Sequence, residues 1–210
     1  MNIQPEEQKL SDFNAKSKAT YNKIANDYDD SFDGKFTRKF KRILAENINL
    51  EDNISVLDVA CGNGSLLALL SKQRAIHGFG VDLSDQMIKN AAASNPDMEF
   101  YVAGCEAMPL ENDTIDLITV SAAYHHFPDV KVFANEAKRV LKANGKIYIA
   151  EIYLNPVFRF ICNPFVPLSK AGDVKFYSPN QIINNFNLSG FEKMDVIVSE
   201  GVQIVSMKKL

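Results

Sequence analysis

The sequence predicts an α/β fold, a Rossmann-like three-layer sandwich around a seven-stranded, mostly parallel sheet that ends in an antiparallel hairpin. Three observations carry this expectation. From residue 55 onward, short apolar runs alternate with segments of helical apolar spacing, which implies parallel strands joined by right-handed crossovers. The first run, Val56-Leu57-Asp58-Val59, passes through Gly62-Asn63-Gly64 into an apolar helix, the strand, glycine turn and helix of nucleotide-type folds. The last two runs are separated only by Ser199-Glu200-Gly201, a length that requires an antiparallel hairpin.

Before the sheet, residues 1–15 are polar and expected to be frayed. Tyr21, Ile24, Ala25 and Tyr28 fall at i, i+3, i+4 and i+7, one face of a helix that Asp29, Asp30, Asp33 and Gly34 should break. A second helix follows, with Phe36, Phe40, Ile43 and Leu44 facing inward and Lys35, Arg38, Lys39, Lys41 and Arg42 read as its solvated face. The five parallel strands are expected at 55–59, 77–81, 98–103, 116–120 and 146–151. Helices lie between them, one at 65–71 and one starting at the N-cap Ser84 and stopping before Asn95-Pro96. A third holds Val130, Phe133, Ala137, Val140 and Leu141 and is expected to end at Asn144-Gly145, a C-cap signal.

Residues 152–177 change style. Pro156, Pro164, Pro167 and Gly172 punctuate a stretch holding Phe158, Phe160, Phe165 and Phe176, too broken for a long helix and too apolar for a free linker. Ser178-Pro179 then caps a helix with Ile182, Ile183 and Phe186, and the hairpin strands are expected at 191–198 and 202–207. The domain division is an N-terminal helical lid at 1–50 and a core at 51–210 with an insert at about 152–177.

Composition narrows the function classes. With 46% hydrophobic and 23% charged residues in 210, one sizeable core needs no staples. A formal net charge of −3 and a pI near 5.7 give no general attraction to nucleic acid or to an anionic membrane. Cys61, Cys105 and Cys162 are widely spaced, without a Cys-x-x-Cys pair or metal-ligand spacing, and read as reduced thiols; no metal is expected. The polar N-terminus lacks a signal peptide's basic and apolar regions, and no run approaches the roughly 18 apolar residues of a membrane span. The expectation is a cytoplasmic monomer or homodimer that acts on a small molecule, without stable membrane insertion.

The ligand of a doubly wound sheet binds at the carboxyl ends of the strands, where strand order reverses. The Gly62 and Gly64 turn is placed there. The position three residues after Gly64, where a dinucleotide fold carries a third glycine, is Leu67, so a cofactor without a pyrophosphate fits better. Asp58, a carboxylate in an apolar strand, is costly to bury unless it meets donors, either a polar ligand or the turn amides. Asp82 ends the second strand, where a carboxylate can accept both ribose hydroxyls of an adenosine or, alternatively, serve as the acidic start of the next helix.

Taken together, Val56 to Gly64, Gly80-Val81-Asp82-Leu83-Ser84, Met108-Pro109-Leu110 with Thr114 to Ile118, His125-His126-Phe127, and Arg139-Val140-Leu141-Lys142 with Gly145 resemble a class I S-adenosylmethionine-dependent methyltransferase. Within that superfamily the chain is similar to the small-molecule group that includes the ubiquinone and menaquinone biosynthesis C-methyltransferases. The resemblance implies S-adenosylmethionine as cofactor. It implies that Ala60, Gly62 and Gly64 give its methionine portion access to the backbone, with Asp58 holding that end. Asp82 would take the ribose hydroxyls and Leu83 pack on the adenine. Where the family has an Asp or Asn for the adenine amino group this chain has Gly104; the Cys105 amide remains, and Glu106 is placed to substitute. Ser121 and Ala122 would line the methyl end, and Tyr21 and Tyr28 match the aromatic positions of the lid helix.

Methyl transfer from a sulfonium needs alignment and exclusion of water, with a base only where the acceptor keeps a proton. Tyr124, His125 and His126 follow the fourth strand and are the catalytic candidates. The acceptor site is expected from the N-terminal helices and from the 152–177 segment, with its phenylalanines as an apolar lid and Arg159, Lys175 and Tyr177 as polar anchors, which favours an aromatic or partly apolar acceptor. Two other readings are a non-catalytic S-adenosylmethionine-binding protein and a nicotinamide-dependent oxidoreductase. Leu67 argues against the second.

Overall fold

Seven strands form one twisted sheet in the order β3-β2-β1-β4-β5-β7-β6 in the computed structural model, which describes residues 5–169 and 171–210, with side chains from residue 11. The strands are β1 (Ile54–Val59), β2 (Ile76–Asp82), β3 (Glu99–Val102), β4 (Ile115–Ser121), β5 (Leu141–Ile152), β6 (Phe191–Ser199) and β7 (Val202–Lys209). The first five pair in parallel, and β7 runs antiparallel between β5 and β6. Strand order reverses between β1 and β4, the expected binding crevice. The hairpin turn is two residues, Glu200 and Gly201, both with positive φ, the conformation that matches the twist of the flanking strands.

The helices are α1 (Pro5–Ile24), α2 (Phe32–Asn47), α3 (Ser65–Ser71), α4 (Asp85–Ser94), α5 (Val130–Val140), α6 (Pro156–Cys162) and α7 (Pro179–Asn187). Two apolar clusters cover the two faces of the sheet. One packs Phe133, Ala137, Ile182 and Phe186 on Leu57, Ile118, Ile147 and Val205. The other packs Phe40, Leu44, Leu66 and Leu70 on Val56, Leu117 and Ala150. Side chains of this size contribute about 1.5–3 kcal/mol each when fully buried, and that burial holds the strand ends in place around the crevice. Capping agrees with the sequence: Ser84 accepts from the Met87 amide, and Ser178 and Gln181 form a reciprocal capping box.

Three local expectations are corrected. Residues 5–15 belong to α1, where Phe13 is buried; residues 1–4, also expected to be frayed, lie outside the described residues. Asp33 and Gly34 do not interrupt the chain but sit in the first turn of α2, which Ser31 caps. A Cβ at position 34 would fall 1.9 Å from the Tyr28 carbonyl oxygen, so glycine serves close packing of the Ala25–Asp30 3-10 turn against α2. Asn144-Gly145 is not a helix cap. The helix stops at Val140, buried Leu141 already pairs with Ile115, and the register then shifts so that Lys146 pairs with Leu117. Asn144 takes φ +63° within that bulge.

Candidate active site

A cleft with about 840 Å³ of free space, counting its open mouth, lies at the carboxyl ends of β1, β2 and β4. That size is within the range of small-molecule sites. Its floor is backbone in sparsely populated conformations: Ala60 after β1 and Ala122 after β4 have φ of +57° and +51°, and both line the cleft. Such strain costs on the order of 1–3 kcal/mol per residue and persists where the surrounding structure enforces it. Over Gly62 there is open room, since a Cβ there would meet only the Met87 sulfur at 4.0 Å.

Two carboxylates, Asp58 buried and Asp82 half-buried, stand beside this floor. Asp82 is bound on both oxygens: Oδ2 accepts from the Gly62 amide at 2.9 Å and Oδ1 from the Ser84 amide at 2.8 Å. One side chain thus ties the glycine turn after β1 to the start of α4. Burial raises its pKa against the pull of those amides. Asp58 accepts from Thr119 Oγ1 at 2.7 Å, and burial pushes it up to about 7, against the opposing pull of Thr119 and Lys41. Lys41 reaches in from α2, donating to Ser65 Oγ at 2.6 Å; burial lowers its pKa while Asp58 raises it. Ser121 Oγ is buried in the cleft wall and has no hydrogen-bond partner among the described residues.

The far side is closed by Leu83, Ala103, Cys105 and Glu106. Glu106 folds back over Gly104, where a Cβ would lie 2.6 Å from its Oε2. Across the top lie Tyr21 and Tyr28, edge to face at 6.2 Å between ring centroids. The segment carrying them is tied to the core through Asn22, which accepts from Ser84 Oγ and donates to Asp85, and through the Lys18–Asp85 ion pair.

Next to the tyrosines is a buried polar cluster. The imidazole of His126 meets Tyr21 OH through Nε2 at 3.1 Å, and its Nδ1 lies 2.9 Å from Asp173 Oδ1 without hydrogen-bond alignment. His125 sits behind it, with Nδ1 2.8 Å from Glu151 Oε2 and Nε2 3.5 Å from Asp173 Oδ1. Burial opposes charge on His125, but Glu151 and Asp173 outweigh it and raise its pKa; burial and the charge of His125 lower that of His126. Burial likewise acts against Asp173, yet the two histidines hold it down at about 2. The backbone amides of Val174 and Lys175 donate to the His125 carbonyl, which seats the 152–177 segment on this cluster.

The cleft therefore gathers Tyr21, Tyr28, Asp58, Ala60, Gly62, Asp82, Leu83, Cys105, Glu106, Ser121, Ala122 and His126 from the sequence-predicted set. Others fall outside it. Gly64 is the N-cap of α3, with φ +75°, packed against Asn95, Phe100 and Ala91. Tyr124, a catalytic candidate, is a core residue whose ring packs on Phe127, Tyr177 and Phe186 and whose hydroxyl accepts from Asn185. The expected apolar lid is also corrected: Phe158, Phe160 and Phe165 point outward, Arg159 donates to the Leu154 carbonyl, Lys175 lies over the Tyr177 ring, and Tyr177 is in the core. Sequence reasoning missed Lys41, assigned to a solvated face, and Asn14 and Ser17, whose spacing with Tyr21 continues one face of α1.

The residues fit a cofactor that presents an adenosine at one end and an amino acid at the other. Room over Gly62, the unpartnered Ser121 hydroxyl, the cation of Lys41 and the carboxylates of Asp58 and Asp82 supply donors and acceptors for the polar parts. Leu67 is fully buried in the core at the place where a dinucleotide fold has its third glycine.

Comparison with known proteins agrees with this geometry. A methyltransferase-domain profile matches residues 57–149. The demethylmenaquinone methyltransferase of Thermotoga maritima is 28% identical over 177 residues, covering 73% of this chain and 77% of that protein. The ubiquinone/menaquinone biosynthesis C-methyltransferase of Campylobacter jejuni is 26% identical over 176 residues, covering 71% and 75%. Among solved structures, an S-adenosylmethionine-dependent methyltransferase from Aquifex aeolicus superposes with a TM-score of 0.66 at 19% identity, over 86% of this chain and all of that one. The geranyl diphosphate C-methyltransferase of Streptomyces coelicolor, solved with S-adenosyl-L-homocysteine, gives 0.71 at 10% identity, over 84% and 80%. With strand order, glycine turn and acidic strand end all in place, the chain is similar in sequence to the ubiquinone and menaquinone C-methyltransferases and shares the fold of S-adenosylmethionine-dependent methyltransferases.

Proposed function

We propose that this enzyme methylates a small aromatic or partly apolar acceptor in the cleft at the ends of β1, β2 and β4. The observation that carries the reading is the composition of that cleft. Its lining combines polar Asp58, Asp82, Lys41 and Ser121 with apolar Leu83, Met87, Ala103, Ala123 and Phe127. When bound, S-adenosylmethionine supplies a methyl group on a sulfonium, already activated for in-line displacement.

The chain's own residues then have to bind, orient and exclude water. Asp82 is placed for the ribose hydroxyls and Leu83 for the adenine face, with the Cys105 amide and the Glu106 carboxylate beside the ring edge. Lys41 is the cation for a carboxylate end, and Asp58, Ala60, Gly62, Ser121 and Ala122 surround the methionine portion. Residues 1–50 act as the lid on a core of 51–210, and Tyr21 and Tyr28 are the groups that cover the site. Of the three catalytic candidates only His126 reaches the cleft, so the polar contact to the acceptor is assigned to it, with His125 behind it as a positioning residue.

The formal net charge of −3 and the size of the cleft favour a small molecule over nucleic acid as substrate. Among the described residues no helix is long and apolar enough to cross a membrane. Every residue in this reading comes from one chain, so it holds for a monomer or a homodimer alike.

Isothermal calorimetry with S-adenosylhomocysteine tests the cofactor half: one equivalent is expected to bind, with reduced nicotinamide dinucleotide giving no heat. A methyl-transfer screen comparing phenolic and quinol-type acceptors with polar aliphatic ones tests the acceptor half. Turnover confined to the polar aliphatic set would overturn it.

A further inference from the structure

We propose that His125 Nε2, His126 Nδ1 and Asp173 Oδ1 form a binding site for a divalent transition-metal ion at the edge of the cleft. Ligand atoms of these three residues all lie within 4.8 Å of one another. Two of the separations, 2.9 Å from His126 Nδ1 and 3.5 Å from His125 Nε2 to the same carboxylate oxygen, bracket the ligand spacing of about 3.3 Å that tetrahedral bonds of about 2.0–2.1 Å require.

The outer contacts orient both rings toward that point. His125 Nδ1 faces Glu151 Oε2, an acceptor, so this nitrogen carries a proton and donates, and in the neutral ring that binds a metal the Nε2 lone pair faces Asp173. Glu151 is itself fixed, accepting from the His125 and Ile152 amides. A carboxylate behind a histidine in this way is the usual support of a metal-binding imidazole. His126 has its Nε2 against Tyr21 OH, while Nδ1, on a side chain nine-tenths buried, lies 2.9 Å from Asp173 Oδ1 and has no aligned hydrogen-bond partner among the described residues. In the tautomer in which His126 Nε2–H donates to Tyr21 OH, two imidazole lone pairs and the Asp173 carboxylate face one another, an arrangement that a cation between them stabilises. A proton can serve in part, but one proton satisfies one nitrogen, whereas a divalent ion satisfies all three atoms together.

Two nitrogens and one carboxylate oxygen suit zinc, iron, nickel or manganese over the softer ions that thiolates select, and three protein ligands leave a coordination position open. The ligands come from two segments, the turn after β4 and the loop before α7, so the ion would clamp the 152–177 segment to the core. Asp173 follows Gly172, which packs on Phe13 and Ser17 of α1, so the same clamp would steady the lid. Because His126 lines the cleft, the open position would be available to a hydroxyl or anionic oxygen of the acceptor; this last step rests on the acceptor reading above, whereas the ion site does not.

The test uses the full chain, stripped with chelator, and titrated with Zn2+ by calorimetry and with Co2+ by visible absorption. One equivalent is expected, with the intense absorption of a low-symmetry Co2+ site. Asp173→Asn and His125→Gln should each weaken Zn2+ binding by tenfold or more, and Glu151→Gln by about 10- to 100-fold through the outer contact. Retained binding of S-adenosylhomocysteine in each variant shows that it is folded and keeps failure here separate from failure of the cofactor assignment. Absence of Zn2+ uptake by the wild-type chain, or equal uptake by wild type and Asp173→Asn, would overturn the proposal. So would NMR showing His125 as an imidazolium unchanged by one equivalent of Zn2+.

Discussion

Asp82 and Gly62 are joined across neighbouring strands: the carboxylate ending β2 accepts from the glycine amide after β1 at 2.9 Å, while its second oxygen holds the Ser84 amide at 2.8 Å. The residue assigned to the ribose hydroxyls also builds the turn beside them. Its alternative reading, as the acidic start of a helix, is therefore part of the same arrangement.

Replacing Asp82 with Ala should lower both stability and cofactor affinity. Two partly buried amides lose their acceptor, which costs about 1–3 kcal/mol, and the cofactor loses bonds of similar worth. Urea denaturation read alongside calorimetry with S-adenosylhomocysteine measures the two losses. Unchanged affinity in a destabilised variant would leave Asp82 with the turn alone.

Glu106 occupies the space above Gly104, and an added Cβ would have to displace the end of that flexible side chain. Gly104→Ala should therefore leave the melting temperature nearly unchanged while moving the Glu106 carboxylate. If Glu106 replaces the family's Asp or Asn at the adenine, S-adenosylhomocysteine binding weakens by about 0.5–1.5 kcal/mol. Glu106→Ala should do the same, and full affinity in both variants would remove Glu106 from the site.

The buried carboxyl of Asp58 is held at about 7 against 3.8 for an exposed one, with Thr119 and Lys41 pulling it down and Asp82 reinforcing the rise. Between about pH 4 and 7 the unfolded chain releases a proton that the folded chain keeps. This group's contribution to stability falls as pH rises through that window and is level above it. Asp58→Asn, whose carbonyl can still accept from Thr119, should remove that slope, so the wild-type minus variant difference in urea midpoint decreases from pH 4 to 7. A flat difference would contradict the elevated value.

Tyr21 donates to or accepts from His126 at 3.1 Å and lies over the cleft beside Tyr28. Tyr21→Phe keeps the ring and removes the hydroxyl, so stability should drop by about 0.5–1.5 kcal/mol. Tyr21→Ala also uncovers the cleft, and its S-adenosylhomocysteine should dissociate faster in stopped-flow than from Tyr21→Phe. Equal dissociation rates would mean that the ring does not act as a cover.

The parallel strands, the glycine turn, the Ser84 cap and the hairpin were legible because each depends on neighbours within a few residues. Lys41 was misplaced for a physical reason. Helical spacing separates the apolar stripe of Phe40, Ile43 and Leu44 from the rest, but cannot say which flanking position borders a cavity, and Lys41 reaches Ser65 on a different helix. Tyr124 and Phe160 show the same limit in opposite directions: one is fully buried against Phe133 of α5, Phe186 of α7 and Tyr177 of the loop before α7, the other is 82% exposed. Asn144-Gly145 carries a helix-ending signal, but pairing of Leu141 with Ile115 had already ended the helix.

By itself, then, the sequence determined the sheet, its reversal point and the glycine turn beside it, since alternating apolar patterns and a glycine turn are local properties. Tertiary structure alone decided that Asp82 holds Gly62, that Glu106 covers Gly104, and that His125, His126 and Asp173 converge. Those contacts join residues from separate segments, and only the packing of the whole chain brings their atoms within bonding distance.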